Sequence, residues 1–117
     1  MRFEGKELGR AVRYIESRSL VIGTTYFQVR YLEHDLIVPE LVPLVFIGRD
    51  LDDGDIGYLY FQDFSSFEEG TRFDTSSAES PAIFERFLES QGTSVSEFDD
   101  ALDELMRCAL RRRESAT

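Results

Sequence analysis

The sequence predicts a single α+β domain spanning residues 1–117, in which a bent sheet is followed by two helices. Its length of 117 residues is that of one ordinary domain. Strand-like runs, some alternating with period two and one apolar on both sides, lie between about residues 20 and 74, whereas apolar residues recur at 3–4 spacing after residue 80. Strands that precede helices are typical of α+β domains. Because the strands are short and separated by bends, we expect a strongly bent antiparallel sheet or a small SH3-like β-barrel.

The composition is that of a folded globular chain. Hydrophobic residues make up 42% and aromatic residues 13%, which is too apolar for a disordered segment. The single cysteine, Cys108, cannot form an internal disulfide, so a disulfide-stapled secreted scaffold is not indicated. The first residues carry charges throughout and lack the apolar run of a signal peptide, and no window is apolar enough to span a membrane. The sequence therefore predicts a cytoplasmic protein.

The formal net charge of −10 is concentrated in one part of the chain. Residues 41–104 contain three basic and sixteen acidic side chains. Nucleic-acid affinity comes largely from lysine and arginine that neutralise phosphates, so this charge disfavours nucleic acid and, for the same reason, anionic lipid. A basic protein partner remains compatible with it.

The first elements differ in how clearly they are marked. Residues 1–19 fit either a helical stripe or extended segments, with a short strand at Arg2–Glu4 as one alternative. The run TTYFQVRYL, residues 24–32, alternates strictly and is rich in β-branched and aromatic residues, which predicts a half-buried strand.

The most apolar stretch of the chain predicts a hairpin at the centre of the fold. Leu44–Ile47 is apolar on both sides, as in a strand covered on both faces, and Tyr58–Gln62 returns with alternating character. The loop between them carries Asp53-Gly54, a common turn dipeptide because glycine tolerates positive φ.

Two helices are predicted at the C-terminal end. The first covers about residues 81–90, with Pro81 at its start and Gly92 beyond its end. The second covers about residues 95–112, where an apolar stripe follows the capping-box pattern Ser94-x-x-Glu97.

The acidic loop Asp50–Asp55 is a candidate cation site. When Gly54 is set at position 6 of a calcium EF-hand loop, Arg49, Leu51 and Tyr60 occupy three positions that require oxygen ligands. The loop is therefore better interpreted as a solvated turn, with a calcium site of another type as the alternative.

No catalytic motif is found. His34 and Cys108 are the only residues of their types, and nothing in the sequence indicates that they meet as a nucleophile pair. One histidine and one cysteine also make a zinc site with nitrogen and sulfur ligands improbable. No glycine-rich phosphate loop or nucleophile elbow is present. The sequence thus predicts no catalytic residue, no metal and no cofactor.

A tyrosine face is the candidate binding surface. If Phe27, Leu59 and Phe61 point inward, alternation places Tyr26, Tyr58 and Tyr60 on the opposite side, beside Arg30. Tyrosine and arginine are enriched in protein interfaces, so these four are the predicted partner-binding residues. Cross-strand tyrosine pairs that stabilise the sheet are the alternative interpretation.

Together these features predict a small acidic cytoplasmic protein that is not an enzyme and that acts as a protein–protein interaction module, with a basic partner. Two alternatives stay open. One is an enzyme, or a metal- or ligand-binding protein, whose site is assembled from scattered carboxylates. The other is a self-associating structural domain that uses the tyrosine face as its dimer surface.

Overall fold

The computed structural model describes residues 1–54, 56–75 and 81–116. Its longest elements are a strand of eleven residues and a C-terminal helix of eighteen. Two 3-10 helices, Ser17–Ser19 and Glu89–Gln91, connect regular elements. The strands and α-helices are β1 (Arg2–Phe3), β2 (Lys6–Glu7), β3 (Thr25–Tyr31), β4 (Pro39–Arg49), β5 (Tyr58–Asp63), α1 (Phe64–Glu68), β6 (Phe84–Leu88) and α2 (Phe98–Ser115).

The main sheet is a four-stranded antiparallel meander in the order β3-β4-β5-β6, and a separate hairpin pairs β1 with β2. Strands that precede one long helix confirm the α+β class. The barrel alternative is wrong, because the sheet stays open in the described part of the chain. Beyond the outer edge of β3 there is a single bridge, between Phe27 and Ser96.

The sheet is nevertheless strongly bent. Arg30 lies on β3 and Glu85 on β6, with two strands between them, yet Arg30 Nη2 donates to Glu85 Oε1 at 2.6 Å. Strands in a flat sheet lie about 4.8 Å apart, so this contact requires the two edges to curve towards each other. Both residues belong to the concave, inner face.

The inner face holds the hydrophobic core. Residues that pair directly across antiparallel strands share a face, and the register matches Tyr26 with Leu44 and Phe46 with Phe61. The Phe46 and Phe61 rings lie 5.4 Å apart, and Phe61 meets Phe87 of β6 at 5.5 Å. The buried members of this cluster are Leu20, Tyr26, Leu44, Phe46, Leu59, Phe61 and Val95.

The predicted helix over 81–90 is wrong, because this segment contains β6 and a 3-10 helix. Apolar residues at 3–4 spacing also serve a strand here: Phe87 points to the core, whereas Phe84 and Leu88 lie on the outer face. Pairing of β6 with β5 satisfies the strand's backbone on one side and buries Phe87 against Phe61. The sheet therefore extends to Leu88, past the predicted limit near residue 74.

The second predicted helix is confirmed as α2, although it begins at Phe98 and not near residue 95. Val95 lies before the helix and is fully buried, and its carbonyl accepts a hydrogen bond from the Ile15 backbone N–H at 2.9 Å. The helix covers the outer face beside β3, where Phe98 packs edge-on against Phe27 at 5.2 Å. Among the described residues, no helix combines the length and apolar character required to cross a lipid bilayer.

Candidate functional site

An apolar cleft of about 390 Å³ opens beside the outer face of the sheet. Its volume is at the low end of the range of ligand pockets, which is about 300–1,000 Å³. The apolar walls come from the segment before β3, from β4 and its following loop, and from α1 and the turn after it. These wall residues are Ile22, Ile47, Leu51, Phe67 and Phe73.

Local structure in β4 shapes one wall. The register between β4 and β5 shifts between Phe46 and Gly48, so a bulge sits at Ile47. Gly48 has a φ of +143°, a conformation that favours glycine. The bulge brings Leu51 against Gly48, where a Cβ atom would lie only 3.1 Å from Leu51 Cδ2.

The opposite wall depends on a short capped helix. Asp63 caps α1 by accepting a hydrogen bond from the Ser66 backbone N–H at 3.0 Å. Although burial opposes ionisation of Asp63, hydrogen bonds from Ser66 and from the Ile83 backbone N–H lower its pKa. The capped helix presents Phe67, and the Arg72 guanidinium stacks over that ring at 4.0 Å.

Gln62 lies in the floor of the cleft and is fully buried. Its Nε2 donates to Ser66 Oγ and to the Thr71 carbonyl, both at 2.8 Å. Because a carbonyl only accepts, the bond to Thr71 fixes which end of the amide is nitrogen. Gln62 Oε1 is the buried side-chain atom that has no hydrogen-bond partner among the described residues.

The rim of the cleft includes exposed apolar side chains, and the lining carries one basic and one acidic side chain, Arg72 and Asp74. Ile22 is 68% exposed and Leu51 is 37% exposed. Leu51 lies between Asp50 and Asp52 in the chain, and Asp52 lines a neighbouring cavity that shares Phe73 with the cleft. An apolar concavity with acidic neighbours is suited to an apolar group that carries positive charge beside it.

The predicted tyrosine face does not exist as one surface. Tyr26 faces the core, is 4% exposed, and its hydroxyl accepts a hydrogen bond from the Val21 backbone N–H at 2.9 Å. Tyr58 and Tyr60 lie on the outer face, where Tyr60 is buried against Phe73. Alternation defines two faces within each strand, but the register between strands decides which faces match, and the sequence does not show that register.

The other members of the predicted surface are also separated. Arg30 pairs with Glu85 on the inner face. Tyr58 is half-buried on the outer face, with the Arg86 guanidinium 4.9 Å from its ring. A partner-binding role for these four residues stays a prediction, but they cannot act as one contiguous patch.

A buried charged cluster on α2 was not anticipated from the sequence. Glu104 and Arg107 are each 4% exposed and are joined by a 2.9 Å ion pair. Glu104 also accepts hydrogen bonds from the Tyr31 hydroxyl and from Arg111 Nη2. Burial opposes ionisation of Glu104, but these three donors outweigh it and lower its pKa.

This cluster ties distant segments to the helix. Arg107 Nε donates to the Gly9 carbonyl at 2.7 Å, and Arg111 Nε donates to the Leu36 carbonyl at 2.8 Å. The hydrogen bonds and ion pairs of Glu104, Arg107 and Arg111 therefore hold α2 against β3, the N-terminal segment and the β3–β4 loop. The spacing of Glu104, Arg107 and Arg111 on one helix is the only sequence signal of this role.

The structure does not support the His34 and Cys108 pair. His34 is exposed in the β3–β4 loop, whereas Cys108 is 1% exposed and lies 3.1 Å from Arg111 Nη2. Burial raises the pKa of the Cys108 thiol, which disfavours the reactive thiolate.

The acidic loop is closed by its own backbone. The Asp50 carboxylate accepts a hydrogen bond from the Gly57 N–H at 2.7 Å. Asp55 lies outside the described residues. Across residues 1–54, 56–75 and 81–116, no three histidine, cysteine, aspartate or glutamate side chains are grouped so that they could hold a metal ion.

No family model, curated protein or solved structure matches this chain. The geometry of the molecule is therefore the basis for assigning a function. The cleft combines accessibility, apolar walls and a buried unpaired acceptor, which makes it the candidate binding site.

Proposed function

We propose that this chain is a non-catalytic protein-binding module that holds a basic segment of a partner by taking one large apolar side chain into the cleft. The accessible apolar cleft, in a chain whose net charge is −10, is the observation that carries this proposal. The partner segment would place its lysines or arginines against Asp74 of the lining and Asp52 of the neighbouring cavity.

Apolar burial would supply most of the affinity. Complete burial of one large apolar side chain contributes about 1.5–3 kcal/mol. The chain's net charge of −10 would attract a basic segment during approach and would orient it on the rim.

The lining offers little for acid–base chemistry. Asp74 is its carboxylate and is exposed, whereas catalytic carboxylates are usually tuned by burial or by a close partner. The buried carboxylate Glu104 is held in ion pairs on α2. These features favour binding over the alternative of an enzyme built from scattered carboxylates.

A set of short peptides tests the proposal. Each peptide has two lysines on either side of one variable residue, which is tryptophan, phenylalanine, leucine or alanine, and binding is measured by isothermal titration calorimetry. We expect the three large apolar residues to bind more tightly than alanine. Equal affinity for all four peptides would contradict binding through the apolar cleft.

Two variants localise the binding. Ile22→Gln removes an exposed apolar side chain from the rim, and we expect it to weaken binding of the tryptophan peptide severalfold. Ile83→Gln is the matched control, because Ile83 is 67% exposed, against 68% for Ile22, and does not line the cleft. A similar loss in both variants would place the peptide elsewhere.

Light scattering on the unliganded chain tests the self-association alternative. A monomer at high concentration that still binds the tryptophan peptide would favour a separate partner. A stable dimer that is dispersed by Ile22→Gln would show that the cleft takes a second copy of the chain.

A further inference from the structure

We infer that the side chain recognised by the cleft is tryptophan, whose indole N–H donates a hydrogen bond to Gln62 Oε1. This inference rests on the proposed protein-binding function. It names the chemical group that the partner inserts.

The first argument is that Gln62 Oε1 is a buried acceptor without a hydrogen-bond partner. Buried carbonyl oxygens are almost always hydrogen-bonded in folded proteins, so an exception calls for an explanation. Gln62 cannot relieve it by turning its amide over, since Nε2 is committed to the Thr71 carbonyl and to Ser66. A donor brought by a ligand would satisfy Oε1 at a place where water does not reach it.

The polarity of the lining is the second ground. Gln62 Oε1 and the Asp74 carboxylate are both acceptors, and Arg72, the charged donor of the lining, directs its Nη1 to the Phe67 and Thr71 carbonyls. At Gln62 the Nε2 donor is already committed to Ser66 and Thr71, so this point of the lining suits a group that donates to Oε1. The indole of tryptophan is donor-only, whereas a tyrosine hydroxyl also accepts and a phenylalanine offers no donor.

The shape of the cleft agrees with one aromatic group. Its walls include the rings of Phe67 and Phe73, which pack well edge-on or offset against another ring. Gln62 Oε1 is covered in the unliganded chain, so insertion must displace a wall side chain. Leu51 follows β4 in a loop and is 37% exposed, so a rotation of its side chain would give up little packing.

The decisive comparison uses two peptides of the same shape. In one, tryptophan stands between pairs of lysines, and in the other β-(3-benzothienyl)alanine replaces it, so that sulfur takes the place of the indole N–H. We expect the tryptophan peptide to bind about tenfold more tightly, as is typical for one buried hydrogen bond. Equal affinities would overturn the inference and leave the proposed function standing.

Gln62→Met assigns the effect to the acceptor. The variant keeps the side-chain length but has no carbonyl oxygen, and we expect it to bind the two peptides within about twofold of each other. A tenfold preference that survived in this variant would overturn the role of Gln62. If neither peptide bound the wild-type chain, the proposed function would fail together with the inference.

Discussion

Gln62 is a residue at which the proposed binding and the stability of the fold have different requirements. Its unpaired Oε1 destabilises the folded chain, since a buried acceptor without a partner costs about 1–3 kcal/mol. We predict that Gln62→Met leaves the free energy of unfolding unchanged or raises it. Urea denaturation followed by circular dichroism measures this.

The two atoms that lose Gln62 Nε2 as a hydrogen-bond donor in Gln62→Met keep other hydrogen bonds. The Thr71 carbonyl still accepts from Arg72 Nη1 at 2.9 Å, and Ser66 Oγ still donates to Asp63 Oδ1 at 2.6 Å. If the free energy of unfolding fell by more than about 2 kcal/mol in this variant, Gln62 would be a residue that stabilises the fold. The unpaired Oε1 would then be no evidence for a ligand.

Glu104 differs from Gln62, because all of its hydrogen bonds and ion pairs stabilise the fold. We predict that Glu104→Gln lowers the free energy of unfolding by about 3 kcal/mol, since it leaves the buried Arg107 without its counter-charge. Glu68→Gln, at an exposed glutamate on α1, is the control and should change stability by less than about 0.5 kcal/mol. Similar effects of the two substitutions would contradict a buried ion pair.

The stabilisation from Glu104 should depend on pH in a defined direction. Its pKa in the folded chain is lowered from the ordinary value of 4.5, so the unfolded chain binds the proton more readily. The contribution is therefore complete above pH 4.5 and is lost as the pH falls through the folded-state pKa. We predict that the stability difference between wild type and Glu104→Gln shrinks below pH 4.5, measured by denaturation at several pH values. A difference that grew on acidification would contradict this.

The bulge in β4 is an element on which the cleft depends. Gly48→Ala would force a side chain into positive φ and bring its Cβ to 3.1 Å from Leu51. We predict a loss of about 2 kcal/mol in stability, measured by thermal unfolding, together with weaker peptide binding because Leu51 is displaced.

Gly9→Ala is the matched control for the bulge. Its nearest added contact would be Arg107 Nη2 at 3.7 Å, an ordinary distance, and Gly9 does not adopt positive φ. We expect its stability to be unchanged or to rise by up to about 1 kcal/mol. If both glycine variants lost stability equally, backbone strain at Gly48 would not be the cause.

At the scale of elements, local patterns predict what a segment does by itself. The apolar stripe of α2 and the alternation of β3 and β5 are local, and these elements were predicted in kind. The segment 84–88 carries apolar residues that suit a helix or a strand, and its pairing with β5 decides between them. The faces of Tyr26 and Tyr60 also depend on pairing, which alternation within one strand cannot reveal.

At the scale of the whole molecule, both sites of interest join residues that are far apart in the chain. The cleft brings Ile22 together with Gln62 and Phe73, and the buried cluster brings Tyr31 to Glu104. No short motif encodes either one. What composition did show is the acidic character of the chain as a whole.

The electrostatic attraction of the peptide and the inferred recognition of tryptophan in the cleft should respond differently to salt. The net charge of −10 attracts a lysine-rich peptide over a distance that shrinks from about 30 Å at 0.01 M salt to about 3 Å at 1 M. We predict that its association rate falls on the order of tenfold over this range, measured by stopped-flow tryptophan fluorescence, a signal specific to the peptide because the chain contains no tryptophan. An association rate that did not respond to salt would exclude electrostatic steering.

The preference for tryptophan over benzothienylalanine should survive at 1 M salt, because packing and a buried hydrogen bond act at contact and are little screened. Calorimetry at both salt concentrations compares the two affinity ratios. If high salt removed the preference, recognition would depend on the lysines and the negative charge of the chain, and Gln62 would not contribute to selecting the partner.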